Sequence, residues 1–127
     1  MANKFGAKKT KDPATGIEFD SKAEFNRWCE LRLLERGGKI SGLKRQVEFE
    51  LIPTQRETNT EVYKAGPQKG LPKPGAVIEK PCKYVADFTY YQNGKYIVED
   101  AKGCKTEAYK IKKKLMLYVH GIRITET

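Results

Sequence analysis

The chain reads as a mixed α+β domain, an α/β-class fold with a central mixed sheet covered by helices in the order α-β-β-β-α-β. Three observations point there. Asn93-Gly94 sits between two strand-like runs, 83–91 and 96–101, and Asn-Gly is the strongest short signal for a two-residue type I′ hairpin, because both turn positions need positive φ. A stretch with helical apolar spacing and end signals lies on each side of that hairpin. A last short run, 122–125, follows the second helix. Strand, helix, strand makes a crossover unit, so this run should lie parallel to 96–101 with a right-handed connection.

Taken in order, residues 1–16 are polar and basic, with Lys4, Lys8, Lys9 and Lys11. They read as a flexible arm, either a plain tail or a clamp on phosphates. A helix is expected from about Ser21 to Arg36, stopped by Gly37-Gly38, and Ser21-Lys22-Ala23-Glu24 matches the capping-box pattern. Phe25, Trp28, Leu31 and Leu34 form its apolar stripe. At about 100° per residue, Glu24 lies within about 20–40° of Trp28 and Leu31. Its carboxylate either curls back on the helix end or points along the buried stripe. Residues 40–43 suit a short extended piece. Residues 46–52 alternate, with Val47, Phe49 and Leu51 against Glu48, Glu50 and Ile52, as a strand does. The segment 53–81, with Pro67, Pro72, Pro74, Lys64, Lys69, Lys73 and Lys80, is a long loop or hairpin insertion. Within it, 61–63 and 76–78 would pair as a small arm. The second helix should start at Thr106 as N-cap and end before Gly121. Its core face is expected on Ala108, Ile111, Leu115, Tyr118 and Val119.

The 127 residues suffice for one domain, 1–127, with one modest core. There are 25 Lys and Arg against 16 Asp and Glu, a net charge of +9. Such a surplus favours a polyanionic partner, usually nucleic acid, although a merely soluble basic surface would have the same composition. No apolar run reaches the roughly 18 residues of a membrane helix. Met1-Ala2-Asn3-Lys4 lacks the apolar segment of a secretory signal. No membrane partner is expected. Cys29, Cys82 and Cys104 are few and widely spaced, and His120 is the single histidine. Neither a disulfide framework nor a zinc site suits that set, so the thiols are expected free in a reducing cytoplasm.

The Asn-Gly turn also sets a register. Gln92 faces Lys95, and five steps along the ladder Asp87 faces Asp100. Lys102 then shares a sheet face with Asp100, across from Val85. Like charges directly opposed on a sheet are destabilising, which a divalent cation between them would relieve. The plainer alternative is a strand pair with Lys102 neutralising Asp100 as a salt bridge. With Glu24 facing them from the first helix, three carboxylates and one ammonium suit metal-assisted phosphodiester hydrolysis. Mg²⁺, or Mn²⁺ in its place, takes one or two carboxylates, waters and a substrate phosphate. Asp87 and Asp100 would hold the metal, with the Ala101 carbonyl as a further oxygen. Lys102 would position the water, and Glu24 would supply a water-mediated or second-metal ligand.

An Asp in one strand, Asp-x-Lys in the next and a Glu on a preceding helix resemble the PD-(D/E)XK nuclease superfamily. The stretches Phe19-Asp20-Ser21-Lys22-Ala23-Glu24, Val85-Ala86-Asp87-Phe88 and Val98-Glu99-Asp100-Ala101-Lys102-Gly103 look like a small phage-associated branch of it. The resemblance covers most of residues 3–125 and implies a restriction-endonuclease-like core. It also implies a Mg²⁺-dependent DNA endonuclease with Glu24, Asp87, Asp100 and Lys102 at the catalytic positions, working in the host cytoplasm if phage-encoded. Two departures stand out. Ala86 replaces the usual proline, and Asp100 is shorter than the more frequent Glu.

DNA phosphates would meet Lys105 and Thr106 at the second helix's N-terminus and Lys110, Lys113 and Lys114 along it. Thr106 alternatively serves only as a cap, and the lysines only as a solvated face. Base-edge readout is not evident, which favours DNA chosen by structure, such as four-way junctions, or simple nicking. A homodimer would cut both strands, with Met116 and Leu117 as candidate apolar contacts. The competing class is a non-catalytic nucleic-acid-binding protein with a structural acidic cluster. A third reading is a nuclease subunit that needs a partner.

Overall fold

The computed structural model describes residues 9–101 and 106–127. Its elements are β1 (Thr10–Lys11), β2 (Glu18–Phe19), α1 (Lys22–Arg36), β3 (Ser41–Ile52), β4 (Gln55–Arg56), β5 (Val77–Glu79), β6 (Cys82–Gln92), β7 (Lys95–Asp100), α2 (Glu107–His120) and β8 (Thr125–Glu126). Four strands form a mixed sheet in the order β3-β6-β7-β8, and β1-β2 and β4-β5 are small separate pairs. Without the two small pairs, the order is the expected α-β-β-β-α-β. β8 runs parallel to β7, with Glu99 beside Thr125 and Asp100 beside Glu126, as the crossover rule requires.

The chain divides into two compact units. One holds the chain up to Phe49 and from Tyr84 onward, and the other holds Glu50–Lys83. In the smaller unit, β4 pairs with β5, and Val62 bridges to Pro72. The pairing expected between 61–63 and 76–78 is therefore corrected. Gly66 and Gly70 take left-handed φ values of 84° and 85°, turning the chain so that Tyr63 hydrogen-bonds Leu71 instead.

In the larger unit, α1 starts and stops where its sequence signals lie. The Ser21 hydroxyl accepts the Glu24 N–H at 3.1 Å, and Gly37 caps the other end. Leu31, with Trp28 and Leu34 beside it, packs on Phe88, Tyr90 and Ala101, and the Trp28 and Phe88 rings stack at 6.1 Å. α2 covers the other sheet face, with Tyr109 against Tyr84 and His120 against Phe49.

Two expectations fail here. Part of the supposed flexible arm, Thr10–Lys11, pairs with β2. Asp12 closes that hairpin by accepting from the Ala14 N–H and the Thr15 hydroxyl. Residues 1–8 lie outside the described residues. The core face of α2 also differs. Tyr109 and Met116 are buried, whereas Ala108, Ile111, Tyr118 and Val119 are exposed, Tyr118 at 87 %. Met116 is thus a core residue and offers no outward contact. Polar anchors set this rotation: the Tyr109 hydroxyl and Lys113 ammonium both reach the Glu126 carboxylate, at 2.8 and 2.9 Å. Apolarity alone favoured the wrong face.

Candidate functional site

The hairpin is built as its turn residues require. Asn93 and Gly94 have φ of 53° and 77°, the two positive values of a type I′ turn. The ladder runs from Gln92 opposite Lys95 to Phe88 opposite Glu99, in the predicted register. The next step holds Asp87 and Asp100, which are 3 % and 1 % exposed. There the Asp87 carboxylate accepts the Ala101 N–H at 2.8 Å, and the Tyr84 hydroxyl donates to Asp100 Oδ2 at 2.8 Å. Asp100 Oδ1 is buried and has no hydrogen-bond partner among the described residues. Both aspartates bear electrostatically on Tyr84 and Tyr109. The two acids therefore converge on one side of the sheet. Burial, then the Asp100 charge, pushes the Tyr84 hydroxyl well above the ordinary tyrosine range. Burial, then the bond to Glu126, does the same to Tyr109.

Strand alternation breaks at this place. Phe88 packs under α1, so Tyr84, an even number of residues away, should face α1 too. It faces α2 and Asp100 instead, so β6 reverses between them. β3 reverses as well: Leu43 packs with the α1 core, but Phe49 lies against His120 of α2. Between those two, Gln46 has a left-handed φ of 53°. Gly42 lies against the Tyr91 ring, and Phe49 stacks on Tyr84. Gln46 is four residues after Gly42 and Asp87 four before Tyr91, whereas Gln46 is three before Phe49 and Asp87 three after Tyr84. Those contacts bracket Gln46 opposite Asp87.

Glu24 is 3 % exposed and is held by β3. Gln46 Nε2 donates to its Oε1 at 3.1 Å, and Arg45 Nη2 lies 3.8 Å from the same oxygen. α1 lies on the Glu99 side of the sheet, and Glu24 is in its first turn. Among the described residues, no three His, Cys, Asp or Glu side chains are grouped to hold a metal ion. Among the described residues, Asp87 and Asp100 lie together beside Tyr84, and Glu24 meets Gln46. Lys102 and Lys105 lie outside the described residues. Thr106 caps α2 by accepting the Tyr109 N–H. Lys110 pairs with Glu107 and Lys113 with Glu126, while Lys114 is exposed.

Sequence reading missed Tyr84, Arg45 and Gln46, whose parts depend on the two reversals. It also missed the network on the opposite face. Arg27 donates twice to the fully buried Glu99, at 2.8 and 2.9 Å, and Tyr90 donates to it at 2.7 Å. The Glu99 bonds raise the Arg27 guanidinium further above its ordinary value. Burial, with the bond to Glu99, pushes Tyr90 up to about 12. The available signal was Glu99 itself, an acid on the sheet face that the apolar stripe of α1 must cover.

A divalent cation suits the Asp87–Asp100 pair. Hard oxygen donors are what Mg²⁺ takes, two carboxylates are enough when waters and phosphate complete the shell, and Asp100 Oδ1 is a buried acceptor otherwise unsatisfied. Residues 2–124 match the family model described as a protein of unknown function, DUF1064, and the chain belongs to that family. No curated protein and no solved structure matches the chain.

Proposed function

We propose that this member of DUF1064 is a metal-dependent DNA endonuclease, working with Mg²⁺ or with Mn²⁺ in its place. On this reading it selects branched DNA such as a four-way junction, or nicks duplex, rather than reading base sequence. One observation carries the proposal: two buried carboxylates on adjacent strands, one with an oxygen that nothing among the described residues satisfies. A buried acceptor of that kind is destabilising by itself, so a positive ligand is the simplest reason to keep it.

A cation held by Asp87 and Asp100 would supply a Lewis acid for a phosphoryl oxygen and a more acidic water. The chain's own groups do the orienting. The Ala101 N–H holds Asp87 in one rotamer, and Tyr84 holds Asp100 Oδ2 so that Oδ1 remains available. Tyr84 keeps its proton at neutral pH and therefore stays a donor. Lys102, two residues after Asp100, would place an ammonium on the scissile phosphate or the attacking water. Glu24 would act through a water. The net charge of +9 would draw the DNA backbone, and exposed lysines such as Lys114 would follow its phosphates.

The test is cleavage of supercoiled plasmid and of a four-way junction with Mg²⁺, with Mn²⁺ and with EDTA. Metal-dependent cutting that disappears in Asp87→Ala and in Lys102→Ala supports the proposal. Binding without cutting under every metal overturns it, and leaves a non-catalytic nucleic-acid-binding protein.

A further inference from the structure

We infer that Gln46 is a positioning residue for Glu24, its left-handed backbone turning its side-chain amide onto the Glu24 carboxylate. This rests on the nuclease reading for the role of Glu24 in the reaction.

Among the described residues, only Gln46 and Asn93 combine a side chain with positive φ. Asn93 is explained by its turn. Gln46 lies inside β3, where no turn requires the conformation. Residues held in such rare backbone regions persist where surrounding structure over-determines them, often at functional sites. What the conformation achieves is visible in the contacts. Successive strand residues point to opposite faces, yet Arg45 and Gln46 both approach Glu24 Oε1, at 3.8 and 3.1 Å. The Arg45 guanidinium also lies over the Phe19 ring at 4.4 Å, which fixes it from behind. Gln46 itself is exposed, so its side chain fills no core space, and packing does not account for it. The bracketing contacts set it opposite Asp87 on the neighbouring strand.

The experiment compares wild type, Gln46→Gly and Gln46→Met. Glycine accepts the left-handed backbone without steric cost and removes the amide, whereas methionine keeps the length and removes only the polar group. Three quantities are read: the plasmid-cleavage rate against Mg²⁺ concentration, the melting temperature, and the titration of the Glu24 carboxyl by ¹³C NMR. Expected are a cleavage loss of about tenfold or more in both variants, as when a hydrogen bond to a charged group is removed, and more Mg²⁺ needed for half-maximal rate. The Glu24 titration should move to higher pH, because a donor to the ionised form has gone. Gln46→Gly should melt no lower than wild type. Unchanged cleavage with an unchanged Glu24 titration overturns the inference, as does a melting temperature that falls in Gln46→Gly in step with activity. If wild type cuts under no metal, the nuclease reading fails. The Glu24 titration then decides alone: a shift keeps Gln46 as the group that holds the carboxylate, and no shift overturns it.

Discussion

Asp100→Asn should make the metal-free protein more stable while removing the proposed nuclease activity. Asp100 is 1 % exposed, with Tyr84 on Oδ2 and no partner among the described residues on Oδ1. An unsatisfied buried acceptor costs about 1–3 kcal/mol. Asp87 adds repulsion, roughly 3 kcal/mol at most for charges about 5 Å apart in an effective dielectric of about 20. Asparagine keeps the volume and leaves its oxygen under the Tyr84 hydroxyl, and its amide nitrogen can donate toward Asp87. Some of the gain is lost in fitting that amide, so a net stabilisation of about 2 kcal/mol is expected, or roughly 8 °C in Tm for a chain this size. The assay is thermal unfolding by circular dichroism, in EDTA and then in Mg²⁺. Wild type should gain in Mg²⁺, by about 2.7 kcal/mol at a hundred times its Kd, and the variant should not respond. A variant that melts below wild type in EDTA would mean instead that Asp100 is satisfied without any cation.

Alkali should unfold the protein cooperatively. Tyr84, Tyr90 and Tyr109 are all raised above their ordinary value, by burial first and by a bonded or nearby carboxylate second. The unfolded chain releases those protons near pH 10 and the folded chain holds them, so stability is intact below about pH 10 and falls as pH rises, through about 12 for Tyr90. Each retained proton steepens the fall by about 1.4 kcal/mol per pH unit, and tyrosinate absorbance should appear together with loss of circular dichroism. Arg27→Ala leaves the fully buried Glu99 uncompensated and should cost about 3–5 kcal/mol in urea unfolding. Met116→Ala should cost about 2–5 kcal/mol, while Tyr118→Ser should stay within about 0.5 kcal/mol. The opposite order in the denaturation midpoints would restore the apolar stripe as the core face of α2.

Local signals were legible wherever one short-range rule governs. Asn93-Gly94 admits essentially one turn, and the β6–β7 register follows from it. Ser21, Gly37, Thr106 and Gly121 bound both helices through backbone hydrogen bonds a few residues long. The rotation of α2 was not legible, because it depends on Glu126, a residue beyond the helix that ties down Tyr109 and Lys113. The partner of Val62 was hidden for a similar reason: two left-handed glycines decide it, not apolar matching.

The site itself was half legible, and the missing half has a single cause. Counting faces in twos along β3 and β6 assumes unbroken pleating, and both strands break it, β3 around Gln46 and β6 between Tyr84 and Phe88. Asp87 and Asp100 could be paired from the turn because the ladder between them and Asn93 is regular. Beyond Asp87, parity inverts, so Tyr84 reads as a residue of the α1 face when its hydroxyl is in fact on Asp100. The same inversion bears on Glu24. α1 lies on the sheet face of Glu99, and Arg45 and Gln46 of β3 both meet its Glu24 carboxylate. Gln46 is where β3 changes face, and it is also the residue that holds Glu24. A straight β3 would point Arg45 and Gln46 to opposite faces, so that only one of them could meet Glu24. Restoring regular pleating at Gln46 should therefore release the Glu24 carboxylate from β3 even with every acid of the candidate site still present.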